Sequence, residues 1–273
     1  MRFSLIVATL DRPNDLKNLL ESLVLQTYKD FQVIIVDQSD NKDSFKIVDE
    51  YRFQLDIIYL HSEIKGLSIA RNVGLSLADG DIIAFPDDDC CYSANVLELV
   101  SKHFLENASY HIISTNSQAS IRDNSKYHSA PSDIRELNVW NIFSTIISFT
   151  LFIRNNEINI LKFDESFGVG AQFGSGEETD LILRLIKEGA EGCYFPDVMV
   201  FHPVNKINSI ERGYKYALGF GALHRKHFNL WAIKAHFILY TLSSLLKILL
   251  FRDIKMNYFL LKGKIKGFYK FNI

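Results

Sequence analysis

The sequence predicts an α/β fold, a mostly parallel sheet covered by helices on both faces, followed by a helical, basic C-terminal region. Three observations predict it. Short apolar runs alternate with amphipathic helical stretches over the first ninety residues, the pattern of a doubly covered parallel sheet. The runs are almost continuously apolar, as strands buried on both faces must be. Two of them end in acid, at the carboxyl edge where open parallel sheets bind ligands.

The elements follow in order. Ser4–Ala8 reads as a short buried strand. The apolar run from Phe3 to Leu10 resembles a signal peptide only superficially, because it is short and lacks a small-residue cleavage site. Asp11-Arg12-Pro13 opens a helix with Pro in its first turn, and Leu16, Leu19, Leu20 and Leu23 mark its inner face. Phe31–Val36 is a second strand, Asp43 to Phe53 a helix and Asp56–Leu60 a third strand. Ser68 is placed to cap a helix whose inner face is Ala70, Val73, Gly74 and Leu77. Asp81–Phe85 is a fourth strand, ended by Pro86 and three aspartates. A helix at Ala94–Leu105 and a strand at His111–Thr115 follow, then a polar loop from Asn116 to Asp133. Phe143–Ile153 is apolar and β-rich, Glu177–Glu188 is a helix, Gly192–Phe195 and Val198–His202 are short strands, and Ser209 onward is mostly helical.

Composition narrows the class. With 48% hydrophobic residues the 273-residue chain can build a sizeable core, which excludes a disordered protein. Three cysteines cannot staple a chain of this length; Cys90, Cys91 and Cys193 read as small buried hydrophobes in a reducing compartment, since adjacent cysteines lack zinc-ligand spacing. The net charge of −2 hides an asymmetry. From Lys206 onward, 13 Lys and Arg stand against Glu211 and Asp253, a net +11, which leaves 17 basic against 30 acidic residues, a net −13, in the first 205. A basic tail points to an anionic surface. No nucleic-acid recognition module accompanies it, so nucleic acid is not expected. Ala232 to Phe251 has the length of a membrane span, but Lys234, His236 and Lys247 interrupt it; it reads as a buried or an interfacial helix.

The acids carry the chemistry. Asp37 follows the second strand, where a turn or cap would also use an aspartate. Asp87-Asp88-Asp89 is harder to explain by turn chemistry, because three adjacent carboxylates repel. In an extended segment Asp87 and Asp89 face one side and Asp88 the other, and such a pair suits a hard divalent cation that also holds phosphate oxygens. No glycine-rich dinucleotide or P-loop fingerprint is present, which argues against a dehydrogenase and a P-loop enzyme.

Thr9, Asp37, the stretch Gly66-Leu67-Ser68-Ile69-Ala70-Arg71-Asn72-Val73-Gly74, Asp87-Asp88-Asp89 and the later Gly174-Ser175-Gly176-Glu177-Glu178-Thr179-Asp180 occur in an order that resembles glycosyltransferase family 2 over residues 3 to 203. The resemblance implies a GT-A fold, a nucleotide-binding three-layer sandwich. It divides the chain into a catalytic domain at 1–205 and the tail at 206–273. Within that domain, 1–115 would be the nucleotide-sugar half and 116–205 the acceptor and catalytic half. It further implies that Asp37 reads the nucleobase, that Thr9 lines the same pocket and that Arg71 lies near the ribose and diphosphate. Asp87 would contact the ribose or the metal shell, with Asp88 beside it. Asp89 would ligate Mg2+ or Mn2+, and His202 in Phe201-His202-Pro203 resembles a histidine near metal and diphosphate.

The same resemblance implies an inverting transfer of one sugar, with a general base from an acidic pair. The family's pair is Glu-Asp; here it is Glu177-Glu178, and Glu178 is the expected base, Glu177 the second choice and Asp180 a helix-positioning residue. Ser175 and Glu178 also fit a capping box, a purely structural alternative. The Q-x-x-R-W motif of processive synthases is missing. The expectation is a glycosyltransferase acting in surface polysaccharide synthesis on the cytoplasmic face of the cell membrane, taking a UDP-, GDP- or dTDP-sugar to a glycan or lipid-linked acceptor. Its tail would lie on that membrane. A silent sugar-nucleotide-binding scaffold is the alternative.

Overall fold

The computed structural model describes residues 1–119, 130–155, 161–203 and 209–272. The chain divides into two compact units. Met1–Lys65, Ile69–Lys162 and Arg184–Val204 form the first; Gly66–Ser68, Phe163–Leu183 and Asn205–Ile273 form the second.

Among the described residues, the first unit is built on one nine-stranded sheet. β1 (Phe3–Thr9), β2 (Phe31–Asp37), β3 (Asp56–His61) and β4 (Ile82–Ala84) are parallel, in the order β3-β2-β1-β4. Every residue of β2 is buried, which explains its nearly continuous apolar sequence; the buried Gln32 amide donates to the Ser4 hydroxyl. The sheet is completed by β5 (Cys91–Tyr92), β6 (Tyr110–Gln118), β7 (Arg135–Glu136), β8 (Leu151–Arg154) and β9 (Glu191–Phe201). β8 pairs antiparallel with both β4 and β6, β9 runs parallel to β6, and β5 and β7 pair antiparallel with β9.

The connecting helices are α1 (Pro13–Val24), α2 (Asp43–Tyr51), α3 (Leu67–Leu75) and α4 (Val96–Glu106). Pro13 opens α1, and the four leucines expected inside are buried. A Cβ on Gly74 would overlap Ile6 Cγ2, so this glycine lets α3 lie directly on β1.

Several local expectations are corrected. Ser68 does not cap α3: its hydroxyl donates to the Phe167 carbonyl at 2.6 Å. Leu77 falls beyond α3 and is 38% exposed. The two late strands are one, β9, whose register against β6 shifts between Thr115 and Asn116. That irregularity absorbs Pro196, which cannot donate to a regular ladder. β6 runs on to Gln118 because Asn116, Ser117 and Gln118 pair with Met199, Val200 and Phe201 of β9. Residues 120–129 of the expected polar loop lie outside the described residues. Of the β-rich stretch Phe143–Ile153 only the end is strand; α5 (Ile142–Thr145) and a 3-10 turn at Ser148–Thr150 precede β8. Ser144 and Thr145 both donate side-chain hydrogen bonds to the Asn141 carbonyl, which favours the helical turn. Cys90 and Cys193 are buried as expected, while Cys91 is only partly so.

The second unit comprises α7 (Ile210–Lys226), α8 (Trp231–Leu249), α9 (Ile254–Lys270) and the segment Phe163–Leu183, which contains the first residues of α6 (Glu177–Lys187). Ser209 caps α7, accepting from the Arg212 backbone N–H. α7 and α9 meet through glycines. A Cβ on Gly221 would overlap the Lys264 carbonyl, and one on Gly267 the Leu218 carbonyl. Neither backbone can yield without parting the helices, so Gly267→Val is expected to destabilise the unit by about 3 kcal/mol, the upper end for overpacking. A melting curve unchanged from wild type would contradict this close packing.

α8 is held differently. Lys264 is buried and donates to the Tyr240 carbonyl at 2.8 Å and the Ser244 hydroxyl at 2.9 Å, while His224 Nε2 and His236 Nδ1 lie 2.8 Å apart. Only Ala232, Ile233 and Ser244 of α8 are buried. Leu239, Leu242, Leu246 and Leu249 form an exposed ridge, each 54–64% exposed. Of the two readings for this stretch, plain core packing within its own unit does not describe it.

Candidate functional site

The acidic triplet sits where β4 ends. The Cys90 backbone N–H donates to the Asp87 carbonyl, closing a turn. The expected division of the three carboxylates therefore comes from a turn rather than from an extended segment. Asp87 and Asp89 converge on one side with His202, which follows β9. One ligand atom from each lies within 4.8 Å of the others. His202 Nε2 is 2.8 Å from Asp89 Oδ1 and 3.7 Å from Asp87 Oδ2. His202 Nδ1 donates to the Pro203 carbonyl at 2.9 Å, which directs Nε2 at the carboxylates, and the ring stacks on Phe149 at 4.5 Å.

Asp88 turns the other way. It accepts from the Thr9 hydroxyl at 2.9 Å and from Arg12 at 3.1 Å, and the same Arg12 nitrogen lies 3.0 Å from Asp89 Oδ2. Arg71 is 1% exposed, donates to Asp87 Oδ1 at 2.9 Å and lies over Phe85. Three carboxylates are thus balanced by Arg12, Arg71 and His202.

Their protonation follows from that packing. Burial raises the Asp87 pKa, against the opposing charges of Arg71 and His202. Burial likewise pushes Asp88 up to about 6, against Arg12 and the Thr9 hydrogen bond. Asp89 is lowered, because the hydrogen bond and charge of His202 outweigh its burial. The His202 pKa is raised: burial opposes the cation, and the Asp89 hydrogen bond with both carboxylate charges overcomes it. Two oxygens and an imidazole nitrogen, oriented through its other nitrogen, are a donor set that could hold a divalent metal ion.

Asp37, at the end of β2, is fully buried and in register with Thr9 of β1. Its carboxylate accepts from the Ser39 backbone N–H at 2.9 Å and from the Tyr59 hydroxyl at 2.7 Å. Burial first, and then that hydrogen bond, keeps Tyr59 protonated far above its ordinary range. Tyr59 was not singled out in the sequence, because a tyrosine in a strand looks like packing.

Glu177 and Glu178 belong to the second unit, at the first turn of α6. The Gly176 carbonyl accepts from the Asp180 N–H at 2.8 Å, and Gly176 has φ +100°, a conformation that favours glycine. The helix therefore starts one residue later than a Ser175 cap requires, and the Ser175 hydroxyl donates instead to the Tyr216 carbonyl. Glu177 is 7% exposed, and Glu178 is half-buried. Asp180 is fully buried and ion-paired with Lys226 and His227, both at 2.8 Å.

Arg12 is the main residue that sequence reasoning missed. It was legible only as part of a helix opening, and nothing local signalled two carboxylate partners 76 and 77 positions away. Phe149 was hidden in a stretch read as strand.

Comparisons with known proteins bear on the fold and the family. An uncharacterized glycosyltransferase of Haemophilus influenzae is 28% identical over 187 residues, which cover 68% of this chain and 62% of that protein. An Escherichia coli protein, UDP-Glc:alpha-D-GlcNAc-diphosphoundecaprenol beta-1,3-glucosyltransferase WfaP, is 34% identical over 86 residues, 32% of this chain and 34% of its own. The chain spans only 21% of a Rickettsia felis relative that is 30% identical over 126 residues. Among solved structures, the mannosyltransferase PcManGT of Pyrobaculum calidifontis, in complex with GDP-Man and Mn2+, superposes with a TM-score of 0.68 at 16% identity, covering 98% of this chain and 87% of that one. Staphylococcus aureus TarS 1-349 in complex with UDP-GlcNAc gives 0.64 at 21% identity, covering 81% and 66%. These neighbours share the fold, which is of the GT-A type. The family model described as glycosyl transferase family 2 matches residues 4–166, more than half of the sequence, and the chain belongs to that family.

Proposed function

We propose that the chain is an inverting glycosyltransferase that moves a single sugar from a nucleotide-sugar donor to a lipid-linked glycan acceptor in surface polysaccharide synthesis. The convergence of Asp87, Asp89 and His202 carries this reading. These three residues would hold Mg2+ or Mn2+, which supplies Lewis-acid stabilisation of the leaving diphosphate when bound. Arg71 and Arg12 fix the carboxylates, while Thr9 holds Asp88 out of the ligand set. Asp37, beside Thr9 on the neighbouring strand and at the same carboxyl edge, would read the nucleobase. Glu178, the more exposed of the acidic pair, is assigned the proton of the attacking hydroxyl. The lipid-linked acceptor is proposed by analogy with WfaP, whose name describes such an acceptor.

A thermal-shift screen of UDP, GDP, dTDP, CDP and ADP, with and without Mn2+, tests the donor site. A ligand at a hundred times its dissociation constant adds about 2.7 kcal/mol of stability. One nucleotide is expected to stabilise the chain, and only with metal. No shift with any nucleotide would favour a scaffold without a nucleotide site.

The enzyme is further proposed to lie on the cytoplasmic face of the membrane through α8. That helix of 19 residues is long and apolar enough to cross a bilayer by length and composition alone. The interfacial reading is favoured by its leucine ridge and by exposed Lys247, Arg252, Lys255, Lys262, Lys266 and Lys270 on α8, α9 and the link between them. The full chain is expected to sediment with vesicles containing phosphatidylglycerol. Leu242→Glu with Leu246→Glu should reduce that binding about tenfold or more, the loss of two leucines that the bilayer would bury. Equal sedimentation of the variant would refute the anchor.

A further inference from the structure

A buried ion network ties three segments of the second unit together at the start of α6. Asp180 is fully buried, and a carboxylate there needs charged partners. Its Oδ1 lies 2.8 Å from Lys226 Nζ and 2.8 Å from His227 Nε2. Lys226 also donates to Asp164 Oδ2 at 2.6 Å. Asp164 in turn accepts at Oδ1 from the backbone N–H and the hydroxyl of Ser166. The Phe167 ring centre lies 5.4 Å from the same ammonium. One ammonium therefore joins the C-terminal end of α7, the first turn of α6 and the segment that leads into it.

Glu177 and Glu178 stand in that same first turn. Residues two apart on a helix point to nearly opposite sides, about 200° at 3.6 residues per turn. Asp180 is the inward residue and Glu178 the more exposed one, so anchoring Asp180 fixes the direction in which Glu178 projects. A buried ion network contributes little net stability over apolar groups of the same shape, but breaking it changes geometry. Stability alone would need one cation for Asp180, and His227 already supplies a partner. Lys226 adds the tie to Asp164.

We propose that Lys226 is a positioning residue for Glu178, acting through Asp180 and Asp164. The proposal rests on the reading of Glu178 as the base. Lys226 keeps the carboxylate where a hydroxyl can reach it, and does not itself touch substrate.

The test is release of nucleoside diphosphate from UDP-glucose, UDP-GlcNAc, GDP-mannose and dTDP-rhamnose with Mn2+ by the full chain, water taking the place of the acceptor. Lys226→Met is expected to lower kcat by about tenfold or more while the donor KM stays within about twofold, and Lys226→Arg should restore most of the rate. In a Glu178→Gln background, Lys226→Met should change the rate by less than about twofold, because the group it positions is gone. A merely structural role would lower the melting temperature without this split, and would cost the same in both backgrounds. Should Lys226→Met fail to fold, Asp164→Asn keeps the Lys226–Asp180 pair, cuts the tie to the preceding segment and should show the same split. A folded Lys226→Met or Asp164→Asn chain with wild-type kcat overturns the proposal while leaving the base assignment intact. Wild-type turnover by Glu178→Gln, or no release by the wild-type chain, overturns that assignment and the proposal with it.

Discussion

Asp89→Ala is expected to abolish the stabilisation that a nucleoside diphosphate and Mn2+ produce together. Asp89 is the one aspartate of the triplet whose carboxylate is held below its ordinary range, by His202, and it therefore presents a charged oxygen at neutral pH. The variant leaves an imidazole and one carboxylate, and the metal-dependent shift of about 2.7 kcal/mol at a hundredfold excess should disappear. The unliganded chain should tolerate the change far better than an ordinary buried salt-bridge deletion. Asp87 and Asp88 are both pushed up by burial and by their acidic neighbours, so deleting one like charge relieves repulsion as it removes a partner of His202 and Arg12. A near-unchanged melting temperature without ligand, together with a lost response to ligand, separates binding from folding. Nucleotide affinity that is the same with and without Mn2+ in the wild type would sink the metal assignment.

The parallel half of the fold was legible because its signals are local. Runs such as Phe31–Val36 are apolar but for Gln32, since β2 is buried along its whole length, and the leucines of α1 recur at helical spacing. The second half was harder because its signals are not local. β9 carries Pro196 in its middle, tolerated only at a register shift against β6. α5 and the 3-10 turn occupy a β-branched stretch because hydroxyls at 144 and 145 bond back to Asn141. Such bonds override residue preference, and composition does not report them.

The same division holds for the site. Asp87, Asp88 and Asp89 were legible because three adjacent carboxylates have few structural uses, whereas Asp37 also serves its turn by accepting from the Ser39 N–H. Arg12 and Tyr59 were not, since each acquires its meaning from a carboxylate far away in sequence. The capping-box alternative for Ser175 and Glu178 was plausible on spacing alone. It depended on where the helix began, and the bond from Asp180 to Gly176 sets that one residue later.

Where the helix begins also governs the second large expected effect. Glu178→Gln should lower kcat by about a hundredfold to ten-thousandfold, the usual cost of removing a positioned general base, with donor and metal binding unchanged. The amide keeps the size and hydrogen-bonding reach of the side chain, so the loss would report the missing proton acceptor rather than a cavity. Glu177→Gln should behave differently. Glu177 is 7% exposed and packs against Gly168, where a Cβ would come within 3.4 Å of its carboxylate and where φ is +102°. Its replacement should act on the fold, with a lowered melting temperature and a modest change in kcat. A half-buried carboxylate can take a proton from an incoming hydroxyl and pass it to solvent, whereas a buried one is poorly reached by either. If Glu177→Gln shows the large kcat loss on well-folded protein while Glu178→Gln turns over normally, the two carboxylates exchange roles. The helix start at Glu177 would then matter for presenting its first residue rather than its second.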